Sequence, residues 1–168
     1  HMGLDGYLLL VLLVLGLSAC SLQAPTPAPV YQLATGNWSA PRAGSDLVVL
    51  LQPVTLAKYL QRDVLLQRQT DGSLLETPAN WAGSLAEDIE LLLVRQLASR
   101  LNTPNVLSAP SSTGLVAQLQ LQVSINRLDS GPLQPAVLQA QWRLLDKSGQ
   151  LREQHLLHLE QAHTASLA

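Results

Sequence analysis

Four histidines, one cysteine and twelve acidic residues make up the chain's stock of groups able to bind metals, carry protons or attack a substrate. Three of the histidines, His155, His158 and His163, lie close together near the C-terminus. His-x-x-His places two imidazoles on one face of a helix, but on a strand an odd spacing sends them to opposite faces. The stretch Leu151–Leu159 has the pattern of a strand, and no free cysteine or acidic cluster completes a ligand set. Solvated histidines are therefore expected, with no metal and no other cofactor. Serines are plentiful, yet none sits in a Gly-x-Ser-x-Gly nucleophile elbow, and Gly83-Ser84 is better explained as a helix cap. Glu87, Asp88 and Glu90 are charges at a helix start rather than a catalytic pair. The chain has no Gly-rich phosphate loop, so any ATPase must be another chain. No catalytic residue is assigned.

The side chain that does point to chemistry is Cys20, the only cysteine and the only side chain nucleophilic enough to take a thioether-linked lipid. It ends Leu17-Ser18-Ala19-Cys20, just after an apolar run from Tyr7 to Leu17. That run of about 11 residues is too short to span a bilayer comfortably, which takes roughly 20. It matches the apolar core of a secretory signal peptide. The four residues Leu17–Cys20 resemble the bacterial lipobox. The resemblance implies cleavage between Ala19 and Cys20, acylation of the Cys20 thiol, and attachment to a membrane through that lipid. A signal-anchor helix with an incidental cysteine is the competing reading. The segment His1–Gly6 carries Asp5 and no Lys or Arg, a departure from the basic start of a signal peptide. His1-Met2 fits a cloning scar or a true start further upstream. Aspartate after the cysteine retains enteric lipoproteins in the inner membrane, so Ser21 points to the outer membrane.

Removing residues 1–19 from the 168 leaves 149, enough for one domain with a sizeable core and no disulfide. Without Asp5 the mature part holds 11 acids against 10 bases, and the bases are scattered from Arg42 to Arg152. A nucleic-acid binder would show a basic stripe, so that class is excluded. Only 13% of the chain is charged, which hints at surface covered by a partner or a membrane. Residues 20–30 follow as a lipidated N-terminus and Pro-rich tether. The alternating prolines Pro25, Pro27 and Pro29 favour polyproline II, and Ser21–Pro29 can reach about 28 Å. Residues 31–168 form the folded domain.

In that domain Val30–Leu33 is a short strand and Ala34–Ser45 a loop, with Trp38 expected to cap the core. Leu47–Leu51 is an unbroken apolar run of the central-strand type, ended by Pro53. Val64–Gln69 and Leu74–Thr77 flank Asp71-Gly72, a hairpin turn. The spacing predicts a helix over Leu85–Leu101. Ser84 and Glu87 form a capping box, leucines and Ile89 recur every four residues, and Asn102 and Pro104 end it. Leu115–Asn126 and Leu138–Leu144 alternate apolar with polar residues, as strands wet on one face do. The fold class expected is α+β: a mostly antiparallel sheet with one long helix packed on a face.

The segment Pro53-Val54-Thr55-Leu56-Ala57-Lys58-Tyr59-Leu60-Gln61-Arg62 resembles the "PV-x-L-x-x-YL-x-R" stretch of ABC-type transport auxiliary lipoproteins, the PqiC/YmbA-like group. Trp81 before the long helix and Tyr31-Gln32-Leu33 after the tether fit the same pattern. The resemblance spans residues 17–160. It implies a non-catalytic lipoprotein, anchored by its lipid and facing the periplasm. The implied partners are an MCE-domain protein, a permease and an ATPase that together move lipids across the bacterial envelope, with a homo-oligomer possible. The alternative is another envelope-binding lipoprotein, such as a peptidoglycan-synthase activator or a lipopolysaccharide-assembly partner. Tyr59, Arg62 and Trp81 are the candidate partner-binding residues, since aromatics and arginine dominate interface energetics. The resemblance also implies a C-terminal helix beyond the last strand, where this sequence stops at Ala162–Ala168; either the sequence is truncated or a partner takes the place of that helix. Part of the sheet's apolar face is therefore expected to be uncovered.

Overall fold

The computed structural model describes residues 27–33, 36–41, 45–110 and 113–162. The signal peptide, Ala19, Cys20, Ser21, the start of the tether and His163 lie outside the described residues. The elements run β1 (Val30–Tyr31), β2 (Val49–Leu51), β3 (Thr55–Leu56), a 3-10 turn (Lys58–Leu60), β4 (Val64–Arg68) and β5 (Leu74–Trp81). Then follow the helix α1 (Leu85–Leu101), β6 (Val106–Ser108), β7 (Leu119–Gly131), β8 (Gln134–Asp146) and β9 (Leu151–Gln161). The α+β class is as the sequence implies, with the strands divided between two sheets.

The larger sheet has the order β6-β2-β7-β8-β9, and β3 also pairs with β7. Its β7-β8-β9 part is antiparallel, built from two long hairpins. Its β6, β2 and β3 pairings are parallel. β2 and β3 form one interrupted strand along β7, and Pro53, which has no N–H to give a ladder, lies in the gap. The exposed backbone is satisfied from outside the sheet: the Val54 N–H donates to Glu90 Oε1 of the helix at 2.8 Å. Glu90 thereby ties the helix to the broken strand.

The helix ends where the sequence places them. Ser84 accepts from the Glu87 N–H, and Asn102 closes the last turn with φ 50°, the left-handed conformation that asparagine tolerates. Leu85 and Ile89 are buried in a core with Leu51, Leu56, Leu60, Val123, Ile125 and Ala140. Ala98 joins Val49 and Val106 in a second cluster further along. The four-residue leucine stripe drifts off this face. Leu101, its last member, is exposed, because 3.6 residues per turn carry every fourth position around the helix.

The smaller sheet has the order β1-β5-β4. Its hairpin turns at Asp71-Gly72, where Gly72 takes φ 88° and Asp71 Oδ1 accepts from the Ser73 N–H. β5 runs on to Trp81, past the expected stop at Thr77. Pro78 is tolerated because it lies at an irregularity in the β4 pairing, between the Leu66–Glu76 and Val64–Asn80 pairs.

Two expectations for β7 shift. The strand starts at Leu119, and Leu115 and Val116 are exposed before it. A bulge between Ile125 and Arg127 then flips the alternation. Ile125 pairs with Ala140 and Leu128 with Leu138, so Asp129 lies on the face opposite Ile125.

Candidate functional site

The most polar part of the interior is the seam between the two sheets. Asp129, brought there by the β7 bulge, has a side chain only 1% exposed. Arg68, the last residue of β4, grips it with two bonds, Nη2 to Oδ2 at 2.7 Å and Nε to Oδ1 at 3.3 Å. The Tyr59 hydroxyl donates to Oδ2 at 2.8 Å and accepts from the Leu128 N–H at 2.8 Å. Arg127 Nε lies 3.3 Å from both carboxylate oxygens. The Arg68 guanidinium also covers the Tyr59 ring, 5.8 Å from its centroid. Gly131 completes the seam, because a Cβ there would come within 2.0 Å of the Arg68 carbonyl oxygen.

Burial raises the Asp129 pKa, but the hydrogen bonds from Arg68 and Tyr59 and the charges of both arginines outweigh it. The carboxyl ends below its ordinary value and stays ionised. Burial pushes the Tyr59 hydroxyl above its ordinary value, and the bond to Asp129 holds Arg68 more firmly protonated. A phenol kept neutral and a carboxylate matched by two cations form a fastening. No base stands poised to activate a nucleophile there.

The residues singled out from the sequence separate in space by role. Tyr59 points inward, its hydroxyl engaged in the seam. Trp81 packs on the core cluster, and its backbone N–H donates to the Asp63 carbonyl at 2.8 Å. Arg62 is half exposed and pairs with Glu76 across the hairpin. Trp38 is exposed at 43%, with the Arg95 guanidinium 5.1 Å from its ring centroid. Arg68, Arg127 and Asp129 were not singled out. The available signal was Arg127-x-Asp129, two opposite charges two residues apart within a strand that otherwise buries apolar side chains.

His155 and His158 fall on opposite faces of β9, opposite Trp142 and Gln139 respectively. The His155 ring stacks on Trp142 with centroids 4.4 Å apart. His158 meets Gln139 at 3.2 Å and Glu160 at 3.1 Å. Among the described residues no three His, Cys, Asp or Glu side chains gather as metal ligands would. A depression of about 540 Å³ near the helix start is lined by Gln32, Asn37, Asp88, Leu91 and Arg95. It brings no nucleophile and base together.

On the helix side of the larger sheet, Leu157 and Leu159 continue the apolar face of Ala140 and Leu138. They are 36% and 54% exposed, so the apolar face is left uncovered along β9. No described helix is long and apolar enough to cross a membrane. The described residues thus form a cemented interior with an open apolar flank along β9.

No curated protein matches the chain. An uncharacterized protein of known crystal structure superposes with a TM-score of 0.64 at 21% identity, over 82% of this chain and 81% of that one. Protein XCC0632 from Xanthomonas campestris, assigned to family model DUF330, gives a TM-score of 0.63 at 17% identity, over 83% of this chain and 81% of that one. These likenesses speak to the fold. A PelC dodecamer from Paraburkholderia phytofirmans is more distant, with a TM-score of 0.46 at 12% identity over 75% of this chain and 80% of that one. Residues 31–167 match the model of the ABC-type transport auxiliary lipoprotein component, and the chain belongs to that family.

Proposed function

We propose that this auxiliary lipoprotein is a non-catalytic accessory of an MCE-type lipid transporter, held at the periplasmic face of an envelope membrane by a lipid on Cys20. The family match over nearly the whole folded domain carries the reading. The seam supports it, since its charged groups are consumed in joining the sheets rather than aimed at a substrate. Cleavage between Ala19 and Cys20 frees the cysteine for its anchor, and the prolines up to Pro29 hold the domain away from the membrane surface. Ser21 directs the mature protein to the outer membrane. Arg62 and the exposed part of Trp81 meet the partner, and Tyr59 supports them from beneath.

Mild crosslinking in intact membranes, followed by purification and mass spectrometry, tests the partnership. An MCE-domain protein recovered with the chain supports it. Recovery of a peptidoglycan synthase or lipopolysaccharide-assembly protein, with no MCE protein, replaces it with the alternative. Fractionation tests the address. The parent chain is expected in the outer membrane and Ser21→Asp in the inner, and identical inner-membrane distributions contradict the assignment.

A further inference from the structure

The larger sheet ends in two very different edges. At one side β6 is three residues long, too short to recruit another strand. At the other, β9 runs for eleven residues from Leu151 to Gln161, and every one of them is exposed. Proteins guard long edges with charged side chains, lysine above all, and with proline, bulges or covering segments; the charges of β9 are Arg152, Glu153 and Glu160. β9 has no proline and no lysine. Its one irregularity lies at its first residues, opposite Leu144 and Leu145. Its four leucines are all among the exposed large hydrophobic side chains, Leu156 at 80%, Leu151 and Leu159 at 54% and Leu157 at 36%. An edge this long and exposed, regular from Glu153 to Gln161, is suited to pairing.

We infer that β9 pairs with β9 of a second copy, antiparallel and centred on Leu156, joining the two larger sheets edge to edge. The charges choose the occupant and the register. Leu156 is the midpoint of the strand, so a two-fold axis there pairs all of Leu151–Gln161 with itself. Such a contact is isologous, each pair occurring twice. In that register Arg152 stands opposite Glu160 of the second copy, Gln154 opposite His158, and Leu156 opposite its own mate. A two-residue slip in either direction removes the Arg152–Glu160 pairing. One direction sets Gln154 opposite Glu160, and the other sets Arg152 opposite His158. A one-residue slip sends the leucines of the apolar face to the wrong side. Within one chain Arg152 already bonds Asp146, and Glu160 already bonds His158. The intermolecular pair therefore joins an existing ion pair, Arg152–Asp146, to the hydrogen-bonded Glu160, and the fork of the arginine has donors for both carboxylates. On the opposite face His155 stands opposite Leu157 and Glu153 opposite Leu159 of the second copy, so the helix-side faces of the two sheets adjoin.

The test uses the full chain extracted from membranes in mild detergent, with the parent chain as background for Cys20. Leu156→Cys sets a thiol opposite its own mate, and gentle oxidation is expected to give a covalent dimer on a non-reducing gel. Mixing Arg152→Cys with Glu160→Cys chains is expected to give a mixed dimer. Gln154→Cys mixed with Glu160→Cys, the slipped pair, is expected to give little. Leu156→Lys puts like charges face to face. It is expected to weaken the dimer about tenfold in sedimentation, with an unchanged circular dichroism spectrum. A parent chain that sediments as a monomer, or an assembly indifferent to Leu156→Lys, overturns the inference. So does a Leu156→Cys chain that crosslinks only to a different protein, or a slipped pair that crosslinks as well as the matched one.

Discussion

Asp129 is a carboxylate taken out of water and matched by Arg68, Arg127 and a phenol. Removing one member of such a set leaves the others buried without partners. Asp129→Ala is therefore expected to destabilise the fold by roughly 3–5 kcal/mol, read from urea unfolding. Arg62 pairs with Glu76 on the surface, and such pairs contribute little. Arg62→Ala is expected to cost less than about 1 kcal/mol. Equal losses for the two variants would contradict the division between seam and surface. The same carboxylate makes stability depend on acid. The folded Asp129 pKa lies below its ordinary value, so its contribution is complete above the unfolded pKa of about 3.9 and is lost as pH falls through the folded one. Asp146 adds to this loss in the same direction, because the Ser148 hydroxyl and the backbone of its turn lower it to about 2. The unfolding midpoint is expected to fall with pH below about 4, and less steeply in Asp129→Asn. An equal slope in that variant removes Asp129 from the acid response.

The elements differ in how far their own residues determine them. The helix is local: Ser84 accepts the Glu87 N–H, Asn102 turns left-handed, and both lie within a turn of the ends they fix. It was legible for that reason, as was the hairpin at Asp71-Gly72. Ser84→Ala is expected to cost about 1 kcal/mol in the same unfolding assay, and an unchanged midpoint would remove the cap from the account. The seam was not legible. Arg68 and Asp129 meet across 61 residues of sequence, and the β7 bulge that brings Asp129 round shows only as Leu128 falling out of step with Leu119, Leu121, Val123 and Ile125. The parallel pairing of β2 with both β6 and β7 was equally hidden, since an apolar run does not state its neighbours' direction. Gly131 shows the cost of the close approach between sheets. Gly131→Ala drives a methyl group into the Arg68 carbonyl, and a loss of roughly 1–3 kcal/mol is expected. A neutral result would mean that the seam is loose enough to yield.

At the scale of the molecule, a core shared between Leu51, Leu85 and Ile125 holds the helix on the larger sheet, and the seam fixes the smaller sheet to its end. The open flank along β9 faces outward. A body fastened in this way suits the accessory role proposed above. Reconstitution tests the central claim most directly. Labelled phospholipid transfer is followed between vesicles carrying the ABC transporter and its MCE protein, with and without this chain. The account predicts several-fold faster transfer when the acylated chain is present, and neither ATP hydrolysis nor lipid transfer by the chain alone. A transfer rate indifferent to the chain, or turnover by the chain in isolation, would contradict it.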